Sequence, residues 1–378
     1  MAKLIGTDPN QVPTNADLGT MAYIDYNTLK PQLLAGSNRN LIINGAMKVA
    51  QRGTSITVSN NNWLYLMDRF QFDENGSTSA VLDVTQSTDA PDGFGYSLKM
   101  TATTADAALA SADGLRLQYK IEAQDVQSLS HGTSNAKPVT LSFWVKSKTT
   151  GTNGVWVYKS DSSRQTSFSY TINAADTWEY KTIIIPADTS GTINNDNGEG
   201  LRISWYLAAG TDFNSGTLDS SWASLTSANR AVGQVNNFSS TSDYWAITGV
   251  QLELGDTATP FEHRSYGDEL ARCQRYFTQF NVLSGGERIL IGAVESSTRS
   301  RHDMPIATPM RATPTITTNG SLEVYEGGAG KGFSNPQVTA VTNSLMGLKL
   351  DISSGNIANA CMIRFNSTSD YIRLDAEL

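Results

Sequence analysis

The chain has 378 residues, only 17% of them charged, and its 28 Lys and Arg against 36 Asp and Glu leave a net charge of −8. That balance argues against a nucleic-acid binder, which needs a basic surface to displace counterions. Cys273 and Cys361 are too few for a disulfide framework, and with three histidines they leave few ligands for a transition metal. The length suits two or three domains. Low charge, abundant Ser, Thr and Gly, and 7 Trp, 14 Tyr and 12 Phe predict a rigid, neutral-polar β protein. Residues 1–13 carry one Lys and no apolar run, so no secretory signal is expected there. No stretch approaches the roughly 20 apolar residues of a membrane helix, and the expectation is cytoplasmic synthesis without membrane insertion.

Residues 1–38 differ from the rest. Gly6 to Asn15 is a string of turn and breaker residues, and Met21 to Leu34 is too short to bury a core. This segment is either a disordered tail or an arm that orders against a partner. From Arg39 to about His263 short strands follow one another. They include Leu41-Ile42-Ile43, Met67 to Phe72, Ser97 to Met100, Leu115 to Ile121, Val155 to Tyr158, Phe168 to Tyr170, Tyr180 to Ile185, Leu201 to Trp205 and Tyr244 to Leu254. Val139 to Lys146 alternates cleanly, with Val139, Leu141, Phe143 and Val145 on one face. About ten such strands with polar turns predict an antiparallel sandwich or jelly roll. The connection from Ala209 to Asn237 is long, Ser/Asn/Gly-rich and carries Trp222; loops of that length are usually functional or disordered.

Tyr266 to Phe280 breaks the rhythm. Leu270, Cys273, Phe277 and Phe280 fall on one helical stripe, with Asp268 and Glu269 near its start where carboxylates suit the dipole. Cys273 is read as a packed thiol. Strands resume at Arg288 and run to Leu374. Within them, Gly327 to Gly332 reads as a hairpin loop, not a phosphate loop, because no Ser or Thr follows Lys331. His302-Asp303 beside Arg299 and Arg301 reads as a solvated charged turn. The predicted organisation is an extended arm (1–38), a jelly roll (39–265), a connecting helix (266–281) and a smaller β sandwich (282–378), all-β in class.

Several phrases match known sequences. Asn40 to Met47, Gln51-Arg52-Gly53-Thr54 and Asp68-Arg69-Phe70 resemble the opening of a module common in bacteriophage tail-fibre and related virion proteins. Gly249 to Gly255, Ala258 to Glu262 and Arg272 to Phe277 resemble its close. Pro309 to Thr315 resembles the phrase opening a C-terminal β module of the same proteins, and Asp17 to Tyr23 resembles their N-terminal linkers. In strand rhythm, residues 40–265 also resemble jelly-roll carbohydrate-binding modules. The resemblance implies a structural, non-enzymatic virion subunit, a homotrimer, a location in the virion, and an arm whose anchors Leu18, Met21, Tyr23 and Ile24 dock on another virion protein. It also implies contact with a host-surface glycan. Such modules often hold a structural calcium, with a carboxylate just before the last strand. Here those positions read Thr248-Gly249-Val250, without an Asp, and no ligands are assigned. Capsid decoration (a head fibre) shares this composition. A carbohydrate-active enzyme, or its detached sugar-binding module, is the reading from a different class.

Sugar binding by jelly rolls needs flat aromatic faces with amides or carboxylates nearby. Trp156 and Tyr158 share one strand face, and Trp222 lies in the long connection; each is either a ligand platform or packed in a core or interface. Trp63 and Tyr65 are further candidates. Trp144 and Trp205, in strongly apolar strands, are read as core. For catalysis, pairs of carboxylates can always be proposed among 36 acids, so spacing decides nothing. No Gly-x-Ser-x-Gly phrase occurs near His131, His263 or His302.

Overall fold

Val139, Leu141, Phe143 and Val145 all point inward, none more than 1% exposed, so the alternation in their strand does place one face in a core. A computed structural model describes residues 39–59, 63–65, 67–341 and 345–378. The arm anchors Leu18, Met21, Tyr23 and Ile24 lie outside the described residues. Among those described, the first strands in chain order are β1 (Ser55–Ser59), β2 (Leu64–Tyr65), β3 (Phe70–Asn75), β4 (Val81–Ser87), β5 (Ser97–Thr104) and β6 (Gly114–Glu122). There follow β7 (Val139–Ser147), β8 (Gly151–Lys159), β9 (Arg164–Ile172), β10 (Glu179–Ile185), β11 (Glu199–Ala209), β12 (Ala223–Ser224) and β13 (Tyr244–Leu254). They form two sheets, ordered β1-β4-β5-β13-β7-β10 and β12-β9-β8-β11-β6-β3-β2, in antiparallel ladders. Between the sheets lies one apolar core that includes Phe70, Leu117, Phe143, Ile203, Trp205 and Trp245. The protein is all-β, with the sandwich architecture its strand rhythm predicts.

Leu41-Ile42-Ile43 is not a strand. The Leu41 amide donates to the Leu252 carbonyl, and the chain then turns at Asn44, which adopts a left-handed φ of 61°. Asn suits that conformation because its side chain can satisfy the turn locally. Its amide donates to the carbonyls of Val49 (2.8 Å) and Asp68 (3.1 Å), and its Oδ1 accepts from the Val49 amide (2.9 Å).

The predicted helix is shorter than its apolar stripe. Ser265 caps it by accepting from the Asp268 amide, and it runs Tyr266–Gln274. Phe277–Phe280 is instead strand β14, paired with Asp375 to Ile372. The stripe spacing misled because aromatic residues also favour strands, and here an open ladder edge was available. The remaining strands are β15 (Glu287–Ser296), β16 (Arg299–Pro305), β17 (Thr315–Asn319), β18 (Glu323–Glu326), β19 (Ala329–Val341), β20 (Leu345–Ile352), β21 (Ala360–Phe365) and β22 (Tyr371–Asp375).

Six of these close into a barrel, β15-β16-β20-β19-β18-β21, and β14-β22-β17 form a separate sheet. The second β unit is therefore a closed barrel with a small sheet, not the expected sandwich; closure removes the exposed edges that six short strands would leave. The charged turn expected at Arg299 to Asp303 is strand β16. Its arginines and Asp303 point outward while Ser300, His302 and Met304 point in, none of them more than 1% exposed. Gly327 and Gly328 make a two-residue hairpin turn with φ of +56° and +92°. No helix among the described residues is long and apolar enough to cross a membrane.

Candidate functional site on the outward face of the seven-stranded sheet

Because Val155 and Val157 of β8 point into the core, Trp156 and Tyr158 point out. The same alternation brings neighbouring strands' polar residues beside them. Ser204 sits opposite Trp156 on one side and opposite Gln118 on the other, and Gln118 sits opposite Gln71. One step along the strands, Asp73 faces Arg116, which faces Tyr206. One step the other way, Lys120 faces Arg202, which faces Tyr158. Sequence-adjacent reasoning missed this set, although the alternating polar residues in β3, β6 and β11 were its signal.

The Trp156 and Tyr158 rings stack on each other, centroids 5.3 Å apart and 23° between planes. The Trp156 indole N–H donates to Gln165 Oε1 at 3.0 Å. Gln165 in turn donates to Asp219 and to the Thr226 carbonyl. Arg116 is paired with Asp73 and donates to the Tyr206 hydroxyl at 3.1 Å and to Asn75 Oδ1 at 2.6 Å. Gln118 also donates to Asp73. Arg202 makes a two-pronged pair with Glu199, at 2.9 and 2.7 Å. Lys120 donates to the Leu378 carbonyl at 2.7 Å.

Four buried polar atoms of this face have no protein partner: Asp73 Oδ1, Gln118 Oε1, Ser204 Oγ and Arg230 Nε. An unsatisfied buried polar group costs about 1–3 kcal/mol, so a cluster of them needs a reason. Asp73, Gln118 and Ser204 are each no more than 3% exposed. Two of the atoms are acceptors suited to hydroxyl donors, the serine hydroxyl can do either, and the arginine N–H is a donor.

Of the three aromatic residues read as either platform or packed, two have their ring faces covered. Trp156 is 3% exposed because the long connection lays Arg230 over it, 4.5 Å from the ring centroid. Phe213 and Ala231 of the same connection pack on Trp156 and Tyr206. Trp222 is 8% exposed: its indole N–H donates to the Pro186 carbonyl at 2.7 Å, the Lys159 ammonium lies 4.3 Å from its ring, and His131 meets it edge-on. Tyr158 stays half-buried, with Arg202 5.6 Å from its ring. Trp205 is core, as its strand pattern predicts, whereas Trp144 lies half-buried on the outer face of the six-stranded sheet against its cross-strand partner Tyr180. Trp63 is exposed, and Tyr65 donates to the Leu378 carbonyl.

Charge on the face is uneven. Burial lowers the Arg116 pKa, but Tyr206 and Asp73 more than reverse that and hold it above the usual value. Burial also lowers Arg230; Tyr206 opposes this, while Arg116 and Arg202 add like-charge repulsion, and the guanidinium ends below its ordinary value.

The positions that match the carbohydrate-binding modules' calcium-site carboxylate do not suit a calcium ion. The Thr248 hydroxyl donates to the Tyr96 carbonyl at 2.7 Å, and Gly249 is packed against the rings of Phe94 and Trp144. Among the described residues no group of three His, Cys, Asp or Glu side chains comes together. Ring nitrogens of His131 and His302 lie 3.0 Å from backbone carbonyls, and His263 packs against Phe94 and Phe261.

No family model matches the chain, and neither does any curated protein. Solved structures resemble it distantly. The enzymatically active domain of bacteriophage CBA120 tailspike protein 4 aligns at 13% identity and a TM-score of 0.30, over 57% of this chain but only 21% of that one. A putative sugar-binding protein from Bacteroides thetaiotaomicron aligns at 12% identity and TM-score 0.31, over 57% of this chain and 99% of its own. The family 11 carbohydrate-binding module of a Clostridium thermocellum cellulase aligns at 13% identity and TM-score 0.27, over 55% and 98%.

Proposed function

We propose that this protein is a non-enzymatic, glycan-contacting structural subunit of a bacteriophage virion, most simply of a tail fibre or appendage. The observation that carries the glycan reading is the outward face of the seven-stranded sheet. It joins the half-buried Tyr158 ring, stacked on the covered Trp156, to the buried unpartnered atoms of Asp73, Gln118 and Ser204. Aromatic faces suit the C–H surface of a pyranose, and fixed acceptors suit its hydroxyls. Tyr158 and Arg230, both half-buried, form the part of the face a sugar meets first. The virion reading rests on the phrases around Gln51-Arg52, Asp68-Arg69 and Arg275-Tyr276-Phe277. The arm at 1–38 serves attachment to another virion protein, and assembly is as a homotrimer.

A single site of this kind binds weakly, near millimolar, and repeated copies on one particle raise adsorption by avidity. The test is calorimetry or affinity electrophoresis of the full chain against host-envelope oligosaccharides, with Tyr158→Ala and Gln118→Leu. Binding lost in both variants supports the reading. Binding unchanged in both, or no glycan bound by the native chain, overturns it.

A further inference from the structure

Of the cations on the outward face of the seven-stranded sheet, three have an opposite charge at hand. Arg116 has Asp73, Arg202 has Glu199, and Lys120 lies 4.0 Å from Glu199. Arg230 has none within 4 Å among the described residues, and its Nε has no hydrogen-bond partner at all. Arg116, Lys120, Arg202 and Arg230 thus stand against Asp73 and Glu199, while Glu122, further along β6, is held by Arg275. Asp219, in the long connection, is taken up by the amides of Gln165 and Asn229. Arg230 is hydrogen-bonded to Tyr206 but has no counter-charge and stands beside two other guanidinium groups, which repel it. That is an apt arrangement for a group waiting on an anion, which it can hold with two parallel hydrogen bonds.

The same face holds the acceptors Asp73 Oδ1 and Gln118 Oε1 and the hydroxyl of Ser204, all buried and unpartnered. A bare anion would answer Arg230 and leave these idle; a neutral sugar would do the reverse. We infer that the glycan this face takes is an acidic one, a hydroxylated ring bearing a carboxylate of the hexuronate kind, with Arg230 holding the carboxylate. This rests on the glycan-binding reading above and specifies its ligand class.

The experiment uses the full chain with three probes: tetragalacturonate, its fully methyl-esterified neutral counterpart with the same ring hydroxyls, and inorganic phosphate. The expected result is tetragalacturonate binding about tenfold tighter than the ester, the scale of one charge-assisted hydrogen bond. The preference should weaken with salt, vanish in Arg230→Gln and survive in part in Arg230→Lys, with near-ultraviolet circular dichroism confirming that both variants are folded. Equal binding of acid and ester removes the charge inference and leaves the glycan reading standing. Phosphate binding as tight as tetragalacturonate reduces the face to a simple anion site and overturns the sugar part. Failure of both sugars overturns the inference together with the reading beneath it. Should Arg230→Gln not fold, an unchanged acid-to-ester ratio in Arg230→Lys at high salt is equally decisive against it.

Discussion

The Arg69 guanidinium and the Glu377 carboxylate meet in an ion pair, with 1% and 4% of their side chains exposed, across 308 positions of sequence. Arg69 also donates to the Lys120 carbonyl at 2.5 Å and lies 3.5 Å from the Tyr276 ring centroid. Beside it, Arg52 pairs with Asp375 (3.1 Å) and Glu377 (3.3 Å) and sits 3.6 Å from the centre of the Phe277 ring. Gln51 ties Asp68 to the Phe277 carbonyl. The Gln-Arg, Asp-Arg-Phe and Arg-Tyr-Phe phrases thus act together, clamping β22 and the residues after it against the sandwich.

Removing one partner of that clamp should be costly. Glu377→Ala leaves the buried Arg69 charge uncompensated and should lower unfolding stability by about 3–5 kcal/mol. Urea titration reads this directly, and a double-mutant cycle with Arg69→Met should recover part of the loss. A Glu377→Ala midpoint matching the parent's would mean that the pair contributes nothing.

Asp188 should make the sandwich acid-sensitive. Burial raises its pKa, but hydrogen bonds from Lys159, Arg164 and the Ser190 amide outweigh that and hold the carboxylate well below its usual range. A depressed folded pKa gives stability that is present above the unfolded value, about 3.9, and is lost as pH falls below it. Asp188→Asn should cost stability at pH 7, since it leaves buried Lys159 without its counter-ion, and should flatten the stability profile below pH 4. Parallel profiles for parent and variant would count against this.

A second pH effect comes from histidine. Burial is the first cause lowering the pKa of His131, His263 and His302. The unfolded chain then binds more protons than the folded one just below pH 6.5, so stability should fall as pH drops from 7 to 5. His302→Asn should shrink the slope of that decline measured by thermal melts.

Trp222 and Trp63 should behave oppositely on truncation. Trp222→Ala removes a buried ring, its hydrogen bond to Pro186 and the surface beneath Lys159, and should cost about 3–5 kcal/mol. Trp63, 69% exposed, should change stability by no more than about 0.5 kcal/mol when replaced by Ser. Comparable losses at both positions would show the burial contrast to be unimportant.

Gly249 should not tolerate alanine. It has φ +61° at the register break of β13, and a Cβ there would stand 2.7 Å from Phe94 Cζ and 3.0 Å from Trp144 Cδ1. Left-handed strain and overpacking together should cost about 2–4 kcal/mol in chemical denaturation.

Local alternation was enough to place Val139 to Val145 and Leu201 to Trp205 in strands and to make the protein all-β, because a period of two reports burial directly. Tyr266 to Gln274 announced a helix through its apolar stripe and first-turn acids, and Gly327 to Gly332 announced a hairpin. The sequence by itself did not reveal that Phe277–Phe280 would leave the helix, since its aromatic spacing serves either period and β22, about a hundred residues on, decides between them. It could not tell that β15, β16 and β18 to β21 close on themselves, because closure depends on which edges meet. His302 was hidden by its charged neighbours Arg301 and Asp303, which point the other way from the same strand. The candidate site was half legible. Trp156 and Tyr158 share a face by simple alternation, but Asp73, Gln118, Ser204 and Arg230 join them only through pairing of β3, β6, β8 and β11 and the return of the long connection. Periodicity fixes which way a side chain points; what it then meets is set by contacts between strands far apart in the chain.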